Sequence, residues 1–204
     1  MPNSEPPSKI ILPTRRNFLM ASATAAAGLV ASTQVSSAYL FRQSTPVELG
    51  PLPEAWVKSV GEKRIQSYAQ FLAGLRLKYV TPYQMIKAHA RKKGSLWNTL
   101  PPKSMWRSMA GTLKAADRIS ATLGKPIDTV TSAYRSPAYN SRCPGAKPRS
   151  WHMQNFALDL QYKVSPNTVA RVARQVRDAG AFKGGIGRYS SFVHIDTRGN
   201  NVDW

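Results

Sequence analysis

Apolar positions recur at helical intervals in several stretches of the chain and alternate in twos in others. From 54 to 76, Trp56, Val57, Val60, Ile65, Tyr68, Phe71, Leu72 and Leu75 recur at roughly helical intervals. That is the period of one buried helix face. Gly61 falls inside the run and is expected to interrupt it. Thr81-Pro82 reads as a helix start: the threonine caps, and the proline sits in the first turn, where a missing N–H leaves no bond unmade. This helix is predicted to run to about 93, with His89 on an exposed face. Pro101-Pro102 breaks the chain, and 104–123 then carries Met105, Met109, Leu113, Ala116, Ile119 and Leu123 on one stripe before Gly124. Ser165-Pro166 opens a last helix, with Val169, Val172, Ala173 and Val176 inward and Gly180 at its end.

Elsewhere the period drops to two. Phe156, Leu158 and Leu160 alternate with Ala157, Asp159 and Gln161, and Ser191–Thr197 reads as a strand as well. Ile127–Ala133 is a third strand, which delivers Tyr134-Arg135-Ser136-Pro137 at its end. Alternation puts Asp159 on the same face as Ala157, and His194 on the same face as Asp196. The fold class expected is α+β, with N-terminal helices packed on one face of a small, mainly antiparallel sheet. The polar residues of the strands are left on the other face.

Charge and the N-terminus add to this picture. The chain has 204 residues, enough for a real core, and 29 Lys+Arg against 10 Asp+Glu give a formal charge of +19. Such a balance favours acidic partners or is simply a basic, soluble surface. The one cysteine, Cys143, excludes an intrachain disulfide. Thr14-Arg15-Arg16-Asn17-Phe18-Leu19-Met20, a modestly apolar run over 21–35 and Ser36-Ser37-Ala38 match a twin-arginine export signal. The alternative is an uncleaved N-terminal anchor. The run is too short and too weakly apolar for a confident membrane span, so none is expected after signal removal. The expected organisation is a signal over 1–38, a linker and helical extension over 39–95, and a main domain over 96–204. An exported, basic protein meets anionic cell-wall polymer first, so nucleic acid is not the expected partner.

The candidate chemistry lies in two segments. The chain has three histidines, at 89, 152 and 194. His152 is followed seven residues later by Asp159, and His194 is followed by Asp196. Two neutral imidazoles and a carboxylate are a common protein ligand set for catalytic Zn²⁺, with a fourth position open to water. His152, Asp159 and His194 are the candidate ligands. The competing reading is ordinary His/Asp pairs on a surface or in a satisfied polar spot. Asp196, close to His194 on its strand face, is a candidate to hold a histidine or bound water, or to accept a proton. His89 has no metal-ligand spacing around it. Gly184-Gly185-Ile186-Gly187 is not a phosphate loop and is expected to let a hairpin approach the site closely. Trp204 is expected to pack under the last strand.

Ser150-x-His152-x6-Asp159, preceded by Ser132-Ala133-Tyr134-Arg135-Ser136 and followed by the strand with His194-x-Asp196, resembles the zinc D-alanyl-D-alanine peptidase superfamily. That group includes D,D-carboxypeptidases, D,D-dipeptidases and murein endopeptidases, with hedgehog signalling domains as structural relatives. The similarity covers roughly 96–204. It implies a zinc peptidase acting on peptidoglycan peptides. Arg135 would bind a substrate carboxylate or carbonyl and stabilise the tetrahedral anion. The sequence departs from the pattern twice. Asn155 stands where glycine is usual, and asparagine tolerates positive φ better than most residues. Ser191 stands where many relatives place an acidic base, three residues before the last metal histidine.

Overall fold

The structure is a computed structural model, and it describes residues 46–204. The twin-arginine motif, the run after it and the cleavage segment lie outside the described residues. Helices α1 (Glu54–Val60) and α2 (Glu62–Gly74) are the single run of the hydrophobic pattern, cut at Gly61, whose φ of 87° is open to glycine. Helix α3 spans Pro82–His89 and starts in a full capping box: the Thr81 hydroxyl accepts from the Gln84 N–H, and the Gln84 side chain accepts from the Thr81 N–H.

Two expectations fail here. Helix α3 stops at His89, not near 93, and the next residues form a hairpin, β1 (Lys92–Lys93) with β2 (Leu96–Trp97). His89 is fully buried, not exposed. It lies on the same helix face as Met85 and Ile86, and its ring meets the Tyr68 ring edge-on at 5.6 Å. The basic residues at 87 and 91–93 made that face read as solvated, but packing against α2 covers it.

Residues 103–108 form a 3₁₀ turn that leads into α4 (Met109–Leu123), closed by Gly124 in the left-handed conformation. Strand β3 is Thr129–Ser132, a short helix α5 is Pro137–Asn140, and β4 is Ala157–Gln161. Helix α6 (Pro166–Asp178) is capped by the Ser165 hydroxyl. Strands β5 (Gly185–Arg188), β6 (Val193–Asp196) and β7 (Val202–Asp203) complete a five-stranded sheet of order β3-β4-β6-β5-β7. All pairings in it are antiparallel except β5 with β7.

The α+β architecture is as expected. Leu158, Leu160, Ile186, Val193 and Ile195 share one hydrophobic core with Trp56, Ile65, Tyr68, Leu113 and Ile119 of the helices. A core side chain of this size stabilises by ~1.5–3 kcal/mol when fully buried. The alternate residues of the same strands, Asp159, His194 and Asp196, therefore turn away from it. Beneath the sheet edge, buried Arg177 donates to Gly184 O and Val202 O and pairs with Asp203 at 2.8 Å. This brace keeps β7, and with it Trp204, beside the functional face.

Candidate metal centre

Asp159 and His194 are direct cross-strand partners in the β4–β6 register. Paired residues in adjacent strands point to the same side, which brings carboxylate and imidazole together without any loop. His152 arrives differently. It sits in the turn-rich segment before β4, and its backbone carbonyl accepts from the Arg135 and Asn155 N–H groups. Asn155 has φ 60°, the left-handed turn expected at this position. Its amide donates to Met105 O at 2.8 Å, so the tight turn that carries His152 over Asp159 is tied to the helical layer.

The three candidate ligands converge. One ligand atom from each of His152, Asp159 and His194 lies within 4.8 Å of the other two, and all three residues are buried. Asp159 Oδ1 stands 3.2 Å from His152 Nε2 and 2.8 Å from His194 Nδ1. Ligands of a tetrahedral zinc at ~2.0–2.1 Å stand ~3.3 Å from one another. The donor set and its spacing fit that ion with small adjustments. Each imidazole also has its other nitrogen engaged. His152 Nδ1 lies 2.7 Å from Ala133 O, and His194 Nε2 lies 3.0 Å from Asp196 Oδ2. With a cation bound, those acceptors would hold the proton on the far nitrogen and turn His152 Nε2 and His194 Nδ1 toward the ion.

The charges follow from these contacts. Burial alone would raise the Asp159 pKa, but His152 and His194 beside it outweigh burial and hold it well below the usual carboxylate range. Asp159 Oδ2 also accepts from Arg135 Nη2 at 2.7 Å. Burial keeps His152 on the low side of its ordinary value. For His194 burial acts in the same sense, but hydrogen bonds to Asp159 and Asp196 reverse it, and its pKa is raised. Asp196 is fully enclosed. Burial opposes its ionisation, yet His194, the Arg198 guanidinium and the Gly185 N–H together hold its pKa low.

A cleft of about 540 Å³ opens over the three ligands. Arg135, Lys147, Arg149 and Arg198 line it, and Asp159 is its only acidic side chain among the described residues. Trp151 and Trp204 flank Arg198 at 5.4 and 5.1 Å. Trp204 does not lie under the last strand. Its indole covers Gly187, 5.2 Å from the His194 ring, and donates to the Tyr189 hydroxyl at 2.9 Å. A Cβ at Gly187 would come 2.5 Å from that indole, and one at Gly185 would come 2.6 Å from Asp196 Oδ2. These glycines are needed for close approach, as their clustering suggested.

Arg135 lies beside the ligands, with Nε on Ser132 Oγ at 2.7 Å and Nη2 on Asp159. His89 is not among them. Arg198 and Asn98 went unnoticed in the sequence: Arg198 meets Asp196 only two residues back, and Asn98 reaches Tyr134 O and the Ser136 N–H far along the chain. The Asp196-x-Arg198 spacing was the one available signal for the first.

A family model described as Peptidase M15 matches residues 78–196, more than half of the chain. No curated protein and no solved structure matches.

Proposed function

The chain belongs to the peptidase M15 family, and on that premise we propose that it is a zinc-dependent hydrolase of peptidoglycan stem peptides or cross-links. The convergence of His152 Nε2, Asp159 Oδ1 and His194 Nδ1 in a basic cleft carries this reading. A zinc ion there supplies Lewis-acid polarisation of the scissile carbonyl and a water of lowered pKa. The chain's own residues do the rest. Arg135 is held by Ser132 and Asp159 with its guanidinium facing the cleft, which suits it to bind the carbonyl oxygen and the negative charge that develops there. The Asp196 carboxylate is held by Arg198, Gly185 and His194 Nε2. In this arrangement it is placed to orient His194, with its oxygens already engaged by these partners.

Export through the twin-arginine machinery to the periplasm, or otherwise out of the cytoplasm, is part of the same proposal and rests on Arg15-Arg16. Among the described residues no helix is long and apolar enough to cross a membrane.

One observation favours a second reading, a zinc-containing cell-wall-binding domain without catalysis. Ser191 replaces the usual acid, and no acidic side chain except Asp159 lines the cleft among the described residues. Digestion of purified sacculi decides between the two. The peptidase releases peptides in a zinc-dependent way, and product masses identify the bond. A binding domain sediments with sacculi and releases nothing.

A further inference from the structure

A second groove of about 500 Å³ adjoins the cleft, and both are lined by Arg135, Pro144, Asp159 and Phe192. Arg91, Lys92 and Lys93, at the start of the β1–β2 hairpin, line this second groove. Asp159 is again its only acidic side chain among the described residues.

The hairpin is fixed relative to the site. Buried Asn98 brackets Arg135: its Nδ2 donates to Tyr134 O at 2.8 Å, and its Oδ1 accepts from the Ser136 N–H at 3.0 Å. The same residue donates its backbone N–H to Arg91 O at 2.8 Å, and its carbonyl accepts from Trp56 Nε1 at 2.8 Å. One residue thus ties the basic hairpin, through its backbone, to the loop that presents Arg135, through its side chain.

The cations themselves lack counter-charges. Among the described residues, none of Arg91, Lys92 and Lys93 pairs with a carboxylate. Arg91 Nη2 reaches Val130 O at 3.4 Å, and its Nε is buried without a partner. A buried donor left unmade is costly and calls for an acceptor. A basic run is usually a solvated face. This one instead walls a groove beside the metal-centre cleft, where a ligand lying over the site would meet it.

We propose that Arg91, Lys92 and Lys93 form a second substrate subsite, which binds the carboxylate of an acidic residue in a peptide lying across the metal centre. The peptide chain then occupies both grooves, with the scissile bond between them. This selects an internal bond in an acid-bearing peptide over the same peptide with its carboxylate amidated. The proposal rests on the peptidase reading above.

Two synthetic stem pentapeptides test it, one with a free α-carboxylate on its D-isoglutamyl residue and one with that group as the carboxamide. Both are given to the zinc-loaded full-length protein and to its Lys92→Ala/Lys93→Ala variant. The wild type is expected to show a KM about tenfold lower for the carboxylate peptide, the scale of two partly exposed ion pairs. The variant loses that difference and keeps its bound zinc. Equal KM for the two peptides in the wild type, or a preference that survives the double substitution, overturns the subsite. If the wild type cleaves neither peptide, stem-peptide hydrolysis fails separately. Calorimetric binding then reads the subsite alone. Tighter binding of the carboxylate peptide that is lost in the variant upholds it, and equal binding overturns it.

Discussion

The two histidine environments of this protein differ in company more than in burial. His89, His152 and His194 are 0 %, 3 % and 7 % exposed. His89 is enclosed by the helices. Its Nδ1 lies 2.6 Å from Met85 O, its Nε2 is buried without a partner, and an aromatic edge flanks it. Desolvation pushes its pKa down to about 4. His152 and His194 share a carboxylate, and each has a backbone or side-chain acceptor on its far nitrogen. Rarity and burial therefore do not identify a metal ligand. Convergence on one carboxylate oxygen, with the other nitrogen tethered, is what sets the candidate ligands apart.

The sharpest way to break this contrast is to remove each ring in turn. His152→Ala, Asp159→Ala and His194→Ala are each expected to lose most of about one bound zinc per chain, and activity with it. His89→Ala keeps its zinc but costs ~2–4 kcal/mol of stability through the cavity it leaves. Metal analysis and thermal unfolding of the four variants read both effects. Equal zinc in the 89 and 152 variants ends the assignment.

Acid titration probes the helical histidine by itself. Its folded pKa of about 4 lies below the ordinary 6.5, so the unfolded chain binds the proton first. The stability present above pH ~6.5 is lost as pH falls toward ~4, by roughly 3 kcal/mol for this group. Denaturant unfolding of the wild type and His89→Leu across that window should show a shallower loss in the variant. Parallel curves would mean that His89 is not neutral in the fold.

Asp196→Asn discriminates within the sheet site. The enclosed carboxylate faces His194 Nε2 and Arg198. As an orienting group its replacement should weaken zinc affinity about 10–100-fold, with saturating zinc restoring much of the rate. A base role predicts retained zinc and a rate ~10²–10⁴-fold lower at any zinc concentration. Zinc titration with peptide release as the signal separates the outcomes.

Much of this could be read from the chain because the signals are local. Period-two alternation in 156–161 and 191–197 assigned Asp159, His194 and Asp196 to strand faces opposite the core, where the structure has them. The caps at Thr81 and Ser165 marked helix starts to the residue. Long-range packing was not legible. Nothing near His89 says that α2 covers it. The brief β1–β2 hairpin is only two residues per strand, too short for any period. Arg198 is the exception, a local partner of Asp196 two residues on, whose spacing was there to be read. The Ser191 position shows the limit of motif reading as well: a departure from the pattern names what is missing and not what replaces it.

The smallest effect concerns the turn that delivers His152 to the sheet. Asn155 is at φ 60°, donates to Met105 O at 2.8 Å, and has a buried Oδ1 without a partner. Asn155→Gly relieves the backbone cost of positive φ and removes the orphan oxygen, but it also removes one hydrogen bond worth ~1 kcal/mol. The terms oppose, so a net change within about 1 kcal/mol is expected, or roughly 2–4 °C in Tm for a chain of this size, with zinc retained. Asn155→Ala loses the same bond and keeps the strained backbone, so it should fall further by ~1 kcal/mol. If both variants lose stability equally, the tie to Met105 holds His152 over Asp159. If only the alanine variant does, the left-handed turn is what matters.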